Sequence, residues 1–134
     1  MPENVNEVRV PVSVGEMLDK IAILEIKTAR ISDPAKLVNI TRELDALNHV
    51  WQGLDPKRAE VEQARAALKE INEKLWVIED DIRDLERAKR FDATFVELAR
   101  AVYITNDERA KVKRVLNELL GSALIEEKSY ADYR

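Results

Sequence analysis

The residues of this sequence best suited to chemistry lie in its last predicted helix. Between residues 98 and 119, apolar side chains recur at alternating steps of three and four, which predicts one buried face of a helix. Arg109 occupies a position on that face where an apolar residue would be expected, after Thr105, and Asn106 and Lys113 flank it. Cations held inside a helical bundle can bind a small anion, because carboxylate and phosphate oxygens match an arginine fork.

A carboxylate that could face these cations is predicted in the first helix. At about 100° per residue, the apolar side chains from Met17 to Ala29 form an arc centred near Glu25. A lone buried carboxylate is costly, so this residue requires a partner. If the chain folds back at Phe91, position 109 lies near position 72, and position 103 near position 79. The candidate ligand-binding residues are therefore Glu25, Asn72, Glu79, Tyr103, Asn106, Arg109 and Lys113.

This polar cluster has two interpretations. Polar residues in the seam between helices fix register and orientation at some cost in stability, and this structural interpretation is the favoured one. The alternative is a small-anion site, since all-helical chorismate mutases hold a dianionic substrate in such a bundle with arginines and a carboxylate. That likeness is one of fold alone, because their sequence signature is absent here. Whether the chain is an enzyme stays open, with a non-enzymatic role favoured.

The composition excludes several kinds of site. The chain has no cysteine and one histidine, so disulfides and thiolate or histidine-pair metal sites are ruled out, and no metal or cofactor is expected. The net charge of −4 argues against nucleic acid and anionic membranes as partners. Because the sequence has neither a signal peptide nor an apolar run of membrane-spanning length, a cytoplasmic location is expected.

The elements that must position these residues are helices. The 134 residues make one domain, and only three glycines and four prolines interrupt it, which favours helices over strands. Ser13, Asp33 and Asp55 are helix-start signals, the last two followed by proline. The predicted fold class is all-α, a four-helix arrangement built on a long antiparallel helical hairpin. Its parts are an extended arm (residues 1–12), a short helical hairpin (15–53), the long hairpin (56–120) and a C-terminal tail (122–134).

The two predicted hairpins have unequal lengths. A helix from about residue 56 to residue 89 would be roughly 50 Å long, and each of the first two helices would reach about half of that. The rest of the long hairpin then either stands alone as a coiled coil, which its unbroken apolar seam from Val61 to Leu85 would allow, or packs on a second copy. A homodimer is expected, and a different protein partner is a further option.

The first residues have a different pattern from the rest. Val8, Val10 and Val12 alternate with other residues, which is typical of a half-buried strand, and Pro11 would confine such a strand to an edge. An extended arm that lies on the helices is the alternative. A short apolar patch at residues 123–125 could pair with this arm.

Several short segments of the sequence resemble a bacterial domain family of unknown function. In the first helix they are Val14-Gly15-Glu16 and Asp19-Lys20-Ile21. In the second half of the chain they are LARAVY at 98–103, TNDERA at 105–110, LLGS at 119–122 and EEKSY at 126–130. The resemblance covers most of the chain and implies a bacterial source and a stand-alone domain. It implies no activity and no catalytic residue.

Overall fold

The computed structural model describes residues 6–134, and within them the chain forms four helices. They are α1 (Val14–Arg30), α2 (Pro34–Leu54), α3 (Ala59–Arg87) and α4 (Ala93–Leu119). The predicted all-α, four-helix arrangement is confirmed. The first five residues of the predicted arm lie outside the described residues.

The helix starts follow from short polar side chains that accept hydrogen bonds from free backbone N–H groups. The Ser13 hydroxyl oxygen accepts from the N–H of Glu16 at 3.1 Å, and an Asp33 carboxylate oxygen accepts from the N–H of Ala35 at 3.0 Å. Asp55 does not start α3 as predicted. It accepts from the N–H of Lys57 at 2.8 Å, and because Lys57 has a positive φ of 54°, the helix begins only at Ala59.

Helix α1 is the central element of the fold. It packs against α2, α3 and α4, while α3 and α4 pack against each other as the long antiparallel hairpin. The core is therefore formed by Leu18 and Ile21 of α1 together with Leu68 of α3 and Leu116 of α4. From α2, the indole of Trp51 reaches the same core.

The far part of the long hairpin extends beyond α1. The last buried residue of α3 is Ile78, and the first buried residue of α4 is Thr105. Between them, none of residues 79–104 is buried, although Ile82, Leu85 and Leu98 still form a half-buried seam between the two helices. We call residues 79–104 the distal hairpin.

The two ends of the chain carry no regular secondary structure in the residues described, so the predicted edge strand is wrong. Residues 6–12 run out into solvent, with Val8 75% exposed, and they do not cover the helices either. Residues 123–134 instead run back along α4, and the apolar patch at 123–125 stays exposed. None of the described helices is long and apolar enough to cross a membrane.

Candidate functional site: a buried ion-pair cluster

The centre of the polar cluster is Asp19, whose side chain is only 1% exposed. It lies on α1 in a buried stripe with Gly15, Ala22 and Ile26, at steps of four, three and four. Because α1 is surrounded on several sides, this stripe faces the long hairpin rather than solvent. A carboxylate in such a position needs a cation and further hydrogen bonds to offset its lost hydration.

Arg109 of α4 supplies the cation. Its Nε lies 3.0 Å and 3.2 Å from the two carboxylate oxygens of Asp19, and its Nη2 lies 2.5 Å from one of them. This fork geometry is the strongest way to pair a guanidinium with a carboxylate. The third nitrogen, Nη1, donates to the side-chain oxygen of Asn106 at 3.3 Å. The hydrogen bond to Asp19 raises the pKa of the Arg109 guanidinium, against the opposing effect of burial, so the guanidinium stays charged.

Asn72 of α3 completes the shell around the carboxylate. This residue is buried, and its amide nitrogen donates to an Asp19 oxygen at 2.8 Å. The single carboxylate therefore connects α1 to both helices of the long hairpin. A polar contact of this kind has stricter geometry than apolar packing, because its hydrogen bonds form only over a narrow range of distances and angles.

Lys113 lies one turn further along α4 and is also buried, with 7% of its side chain exposed. Its ammonium group contacts three carboxylates: Glu16 at 2.6 Å, Glu126 at 3.4 Å and Asp19 at 4.0 Å. The cluster thus places two cations among three carboxylates. Both cations are already neutralised by the protein itself.

The close approach of α1 to α4 is what brings these charges together. The backbone N–H of Gly15 donates to the side-chain oxygen of the buried Asn117 at 2.6 Å. A Cβ at Gly15 would lie only 2.4 Å from the backbone oxygen of Lys113. Any other residue at this position would therefore clash with the backbone of α4. One turn further along α1, the same short distance between α1 and α4 places Asp19 beside Arg109.

The structure brings four of the seven predicted residues into one cluster. Asn72, Asn106, Arg109 and Lys113 all lie at Asp19 or beside it. The predicted pairing of Glu25 with Arg109 is wrong. Glu25 is part-exposed and instead lies 3.8 Å from Lys69 of α3.

The predicted pairing of Tyr103 with Glu79 is also not found. Glu79 forms an ion pair with Arg83 on its own helix. Tyr103 packs edge-to-face on Tyr133 of the C-terminal tail, with ring centroids 4.9 Å apart. Whether any of the seven residues binds a ligand stays a prediction.

The sequence reasoning missed Asp19 and Glu16, although both stand in segments that carry the family resemblance. A signal for Asp19 was present. Ile26 is also buried and lies on the same stripe as Asp19, so including it would have widened the apolar arc of α1 toward Asp19. An arc that wide predicts a helix packed on more than one side.

The cluster is closed rather than open. Each of the three guanidinium nitrogens of Arg109 donates to a protein oxygen, so none of them lacks a protein partner. Within residues 6–134, no group of three or more His, Asp or Glu side chains is placed to hold a metal ion. The contacts in the cluster join α1 to both helices of the long hairpin through charged and amide groups.

Fold and site together define a small helical domain whose central helix is attached to a long hairpin by buried charges. The family model described as "Family of unknown function (DUF6165)" matches residues 8–133, and the chain belongs to that family. No curated protein and no solved structure matches the chain. The bacterial source implied by the resemblance stays a prediction.

Proposed function

We propose that this domain is a non-enzymatic interaction module that self-associates through its distal hairpin. In this proposal the cluster around Asp19 is structural: it holds the compact part of the fold rigid, so that the distal hairpin projects from it in a defined direction. The observation that carries the proposal is that the long hairpin continues past its last buried residues with no other helix of residues 6–134 against it.

The closed state of the polar cluster supports the structural half of the proposal. An anion-binding site would offer donors whose partners are missing in the free protein. Here Arg109 is bonded to Asp19 and Asn106, and Lys113 is surrounded by carboxylates. An anion would have to displace a carboxylate that is held by charge-assisted hydrogen bonds, which is unfavourable.

The surface of the distal hairpin supports the interaction half. Phe91 at its tip is 57% exposed, and Val96 on the first turns of α4 is 52% exposed. Two helices alone bury only their shared seam, so the apolar residues outside that seam remain in water. A second copy is the partner that would cover the same surface on both chains in one symmetric contact.

The charges of the distal hairpin suit an antiparallel pair of copies. Acidic residues dominate residues 79–84, whereas basic residues dominate residues 87–90 toward the tip. Among the described residues, Asp80, Asp81 and Lys89 form no ion pair. If two distal hairpins pack side by side in opposite directions, the acidic segment of each copy faces the basic segment of the other.

The proposal is tested by the mass of the protein in solution, measured by light scattering between about 1 and 100 μM. We expect a dimer in this range for the unchanged chain and a monomer for Val96→Glu, since a carboxylate there would be desolvated at the interface. The matched control is Val38→Glu on α2, which changes an equally exposed valine outside the distal hairpin and should remain dimeric.

Two results would contradict the proposal. One is a monomer mass for the unchanged chain at 100 μM. The other is a rise in melting temperature of the unchanged chain with one member of a panel of carboxylate and phosphate metabolites, lost in an Arg109 variant that still folds. That second result would identify the polar cluster as a small-anion site.

A further inference from the structure

The C-terminal tail lies along one stripe of α4. From residue 123 onward it has no regular secondary structure and every residue is exposed, yet it stays in contact with the helix through several side chains. The stripe that it follows recurs at steps of three and four. It contains Tyr103, Asn106, Asp107, Ala110, Lys113 and Arg114.

Charged groups hold the first half of the tail. Glu126 lies 3.4 Å from the ammonium group of Lys113, and Glu127 lies 3.3 Å from a guanidinium nitrogen of Arg114. These two carboxylates border a small cavity of about 170 Å³ that Lys111 also lines. The part of the stripe under them is basic and accepts a pair of carboxylates.

An aromatic contact holds the second half. The ring of Tyr133 packs edge-to-face on Tyr103, and its hydroxyl donates to an Asp107 carboxylate oxygen at 2.6 Å. That hydrogen bond raises the pKa of Tyr133 above its ordinary value. An open groove of about 850 Å³ lies between this part of the tail and α4. The contact therefore combines an aromatic surface with one specific acceptor.

The tail is held weakly relative to the helices. The pair of Glu127 with Arg114 is exposed, and such a pair contributes at most about 1 kcal/mol, while the Glu126 contact with Lys113 is long at 3.4 Å. Lys113 does not depend on the tail, because Glu16 lies closer to its ammonium group at 2.6 Å. The tail can therefore leave α4 without leaving a buried charge unpaired.

We propose that this stripe of α4 is a docking groove for an extended acidic peptide of a partner protein, and that the C-terminal tail is its resident occupant. The partner segment would carry two adjacent carboxylates followed by a tyrosine, in the order that Glu126, Glu127 and Tyr133 show. The tail competes with the partner, so binding in trans requires the tail to leave. This groove overlaps the distal hairpin only at Val102 and Tyr103, and the inference does not rest on self-association.

The test uses a fluorescent synthetic peptide of residues 122–134 and the full-length protein, with binding measured by anisotropy. The unchanged chain should bind the peptide poorly, because its own tail competes at an effective concentration on the order of mM. The variant E126K/E127K reverses the two charges on the tail and leaves the groove intact. We expect it to bind the peptide at least about tenfold more tightly than the unchanged chain.

Three controls make the result specific. The variant D45K/E70K makes the same change of charge at exposed positions away from the tail. It should bind the peptide with the same affinity as the unchanged chain. A peptide with Gln at 126 and 127 and Ala at 133 should lose most of its binding to E126K/E127K. Arg114→Glu added to that variant should weaken binding of the original peptide severalfold, and circular dichroism confirms that each protein is folded.

Three outcomes would overturn the proposal. In the first, E126K/E127K binds the peptide no better than the unchanged chain, and the tail then merely rests on α4. In the second, the altered peptide binds as well as the original, and the contact is then not specific. In the third, two unchanged chains exchange tails in a dimer that the peptide dissociates, and the occupant is then a second copy rather than a partner protein.

Discussion

At the scale of single residues, Asp19 is the position on which most contacts converge. One buried carboxylate accepts from Arg109 and Asn72 and lies 4.0 Å from Lys113. Such a group is expensive to bury, so its contribution is less to stability than to a unique arrangement of helices. The loss of unfolding free energy should therefore be much larger when one partner of the ion pair is removed than when both are removed.

Removal of Arg109 alone should be strongly destabilising. Arg109→Met leaves the Asp19 carboxylate buried with Asn72 and a distant ammonium group, which should cost about 3 kcal/mol of unfolding free energy. The double variant D19L/R109M removes the buried charge as well and should regain most of this loss. Urea denaturation of the wild type, Asp19→Leu, Arg109→Met and the double variant measures the coupling free energy between Asp19 and Arg109. Equal stability of Arg109→Met and the wild type would show that the ion pair does not hold the helices.

Gly15 offers a second prediction at this scale. Alanine normally stabilises a helix relative to glycine, but a Cβ here would lie 2.4 Å from the backbone oxygen of Lys113. Gly15→Ala should therefore lower the unfolding free energy by about 1–3 kcal/mol as α1 and α4 separate. Gly53→Ala in α2 is the matched control, since no atom lies within 4 Å of its added Cβ, and it should stabilise by up to about 1 kcal/mol. A stabilising Gly15→Ala, measured by thermal melting, would contradict the close contact.

At the scale of elements, the long hairpin consists of two parts with different surroundings. Its base carries buried residues such as Leu68 and Leu116, against which α1 packs. Apart from the contact of Tyr103 with the C-terminal tail, the distal hairpin has only its own half-buried seam. Local stability follows buried contacts, so the two parts of the same helices should open with different free energies.

Hydrogen exchange followed by mass spectrometry should show this difference directly. At low micromolar protein concentration, amides of residues 79–104 should exchange faster than those of α1, by about tenfold or more in rate. Raising the protein concentration should slow exchange in the distal hairpin and leave α1 unchanged, because self-association would protect the hairpin alone. Slowing at α1 but not at residues 79–104 would place the interface elsewhere.

At the scale of the whole molecule, the charges are distributed unevenly although the net charge is only −4. The buried cluster neutralises itself, and many exposed charges pair within one helix, as Arg87 does with Asp84. Among the described charges of the distal hairpin that form no ion pair, Asp80 and Asp81 lie in the acidic segment and Lys89 lies at the tip. The unpaired Glu86, Glu97 and Arg100 do not follow this division. An acidic segment and a basic tip are self-complementary under two-fold symmetry.

A charge exchange tests this arrangement on the whole protein. D80K/D81K should weaken dimerisation by about tenfold, because the basic tip of one copy would then face lysines of the other. Adding K89E/R90E should restore much of the affinity, and sedimentation equilibrium at low and high salt measures both. In the proposed dimer, self-association of the wild type should weaken as salt increases, since these charges are exposed and screened. If the quadruple variant dimerises with lower affinity than D80K/D81K, the antiparallel arrangement is excluded.

The sequence by itself determined the features that depend on neighbours along the chain. The number of helices, the caps at Ser13 and Asp33, and the polar interruption at Arg109 follow from residue spacing and from side-chain to backbone hydrogen bonds. The start of α3 was misplaced because the turn at Asp55 competes locally with a helix start.

Only the tertiary structure decided which charges meet. Asp19 rather than Glu25 pairs with Arg109, because α1 contacts three other helices and its buried face is wider than one apolar arc. The close passage of Gly15 over Lys113 then sets which turn of α1 faces which turn of α4. Such pairings depend on how helices far apart in sequence cross, and residue spacing within one helix does not contain that information.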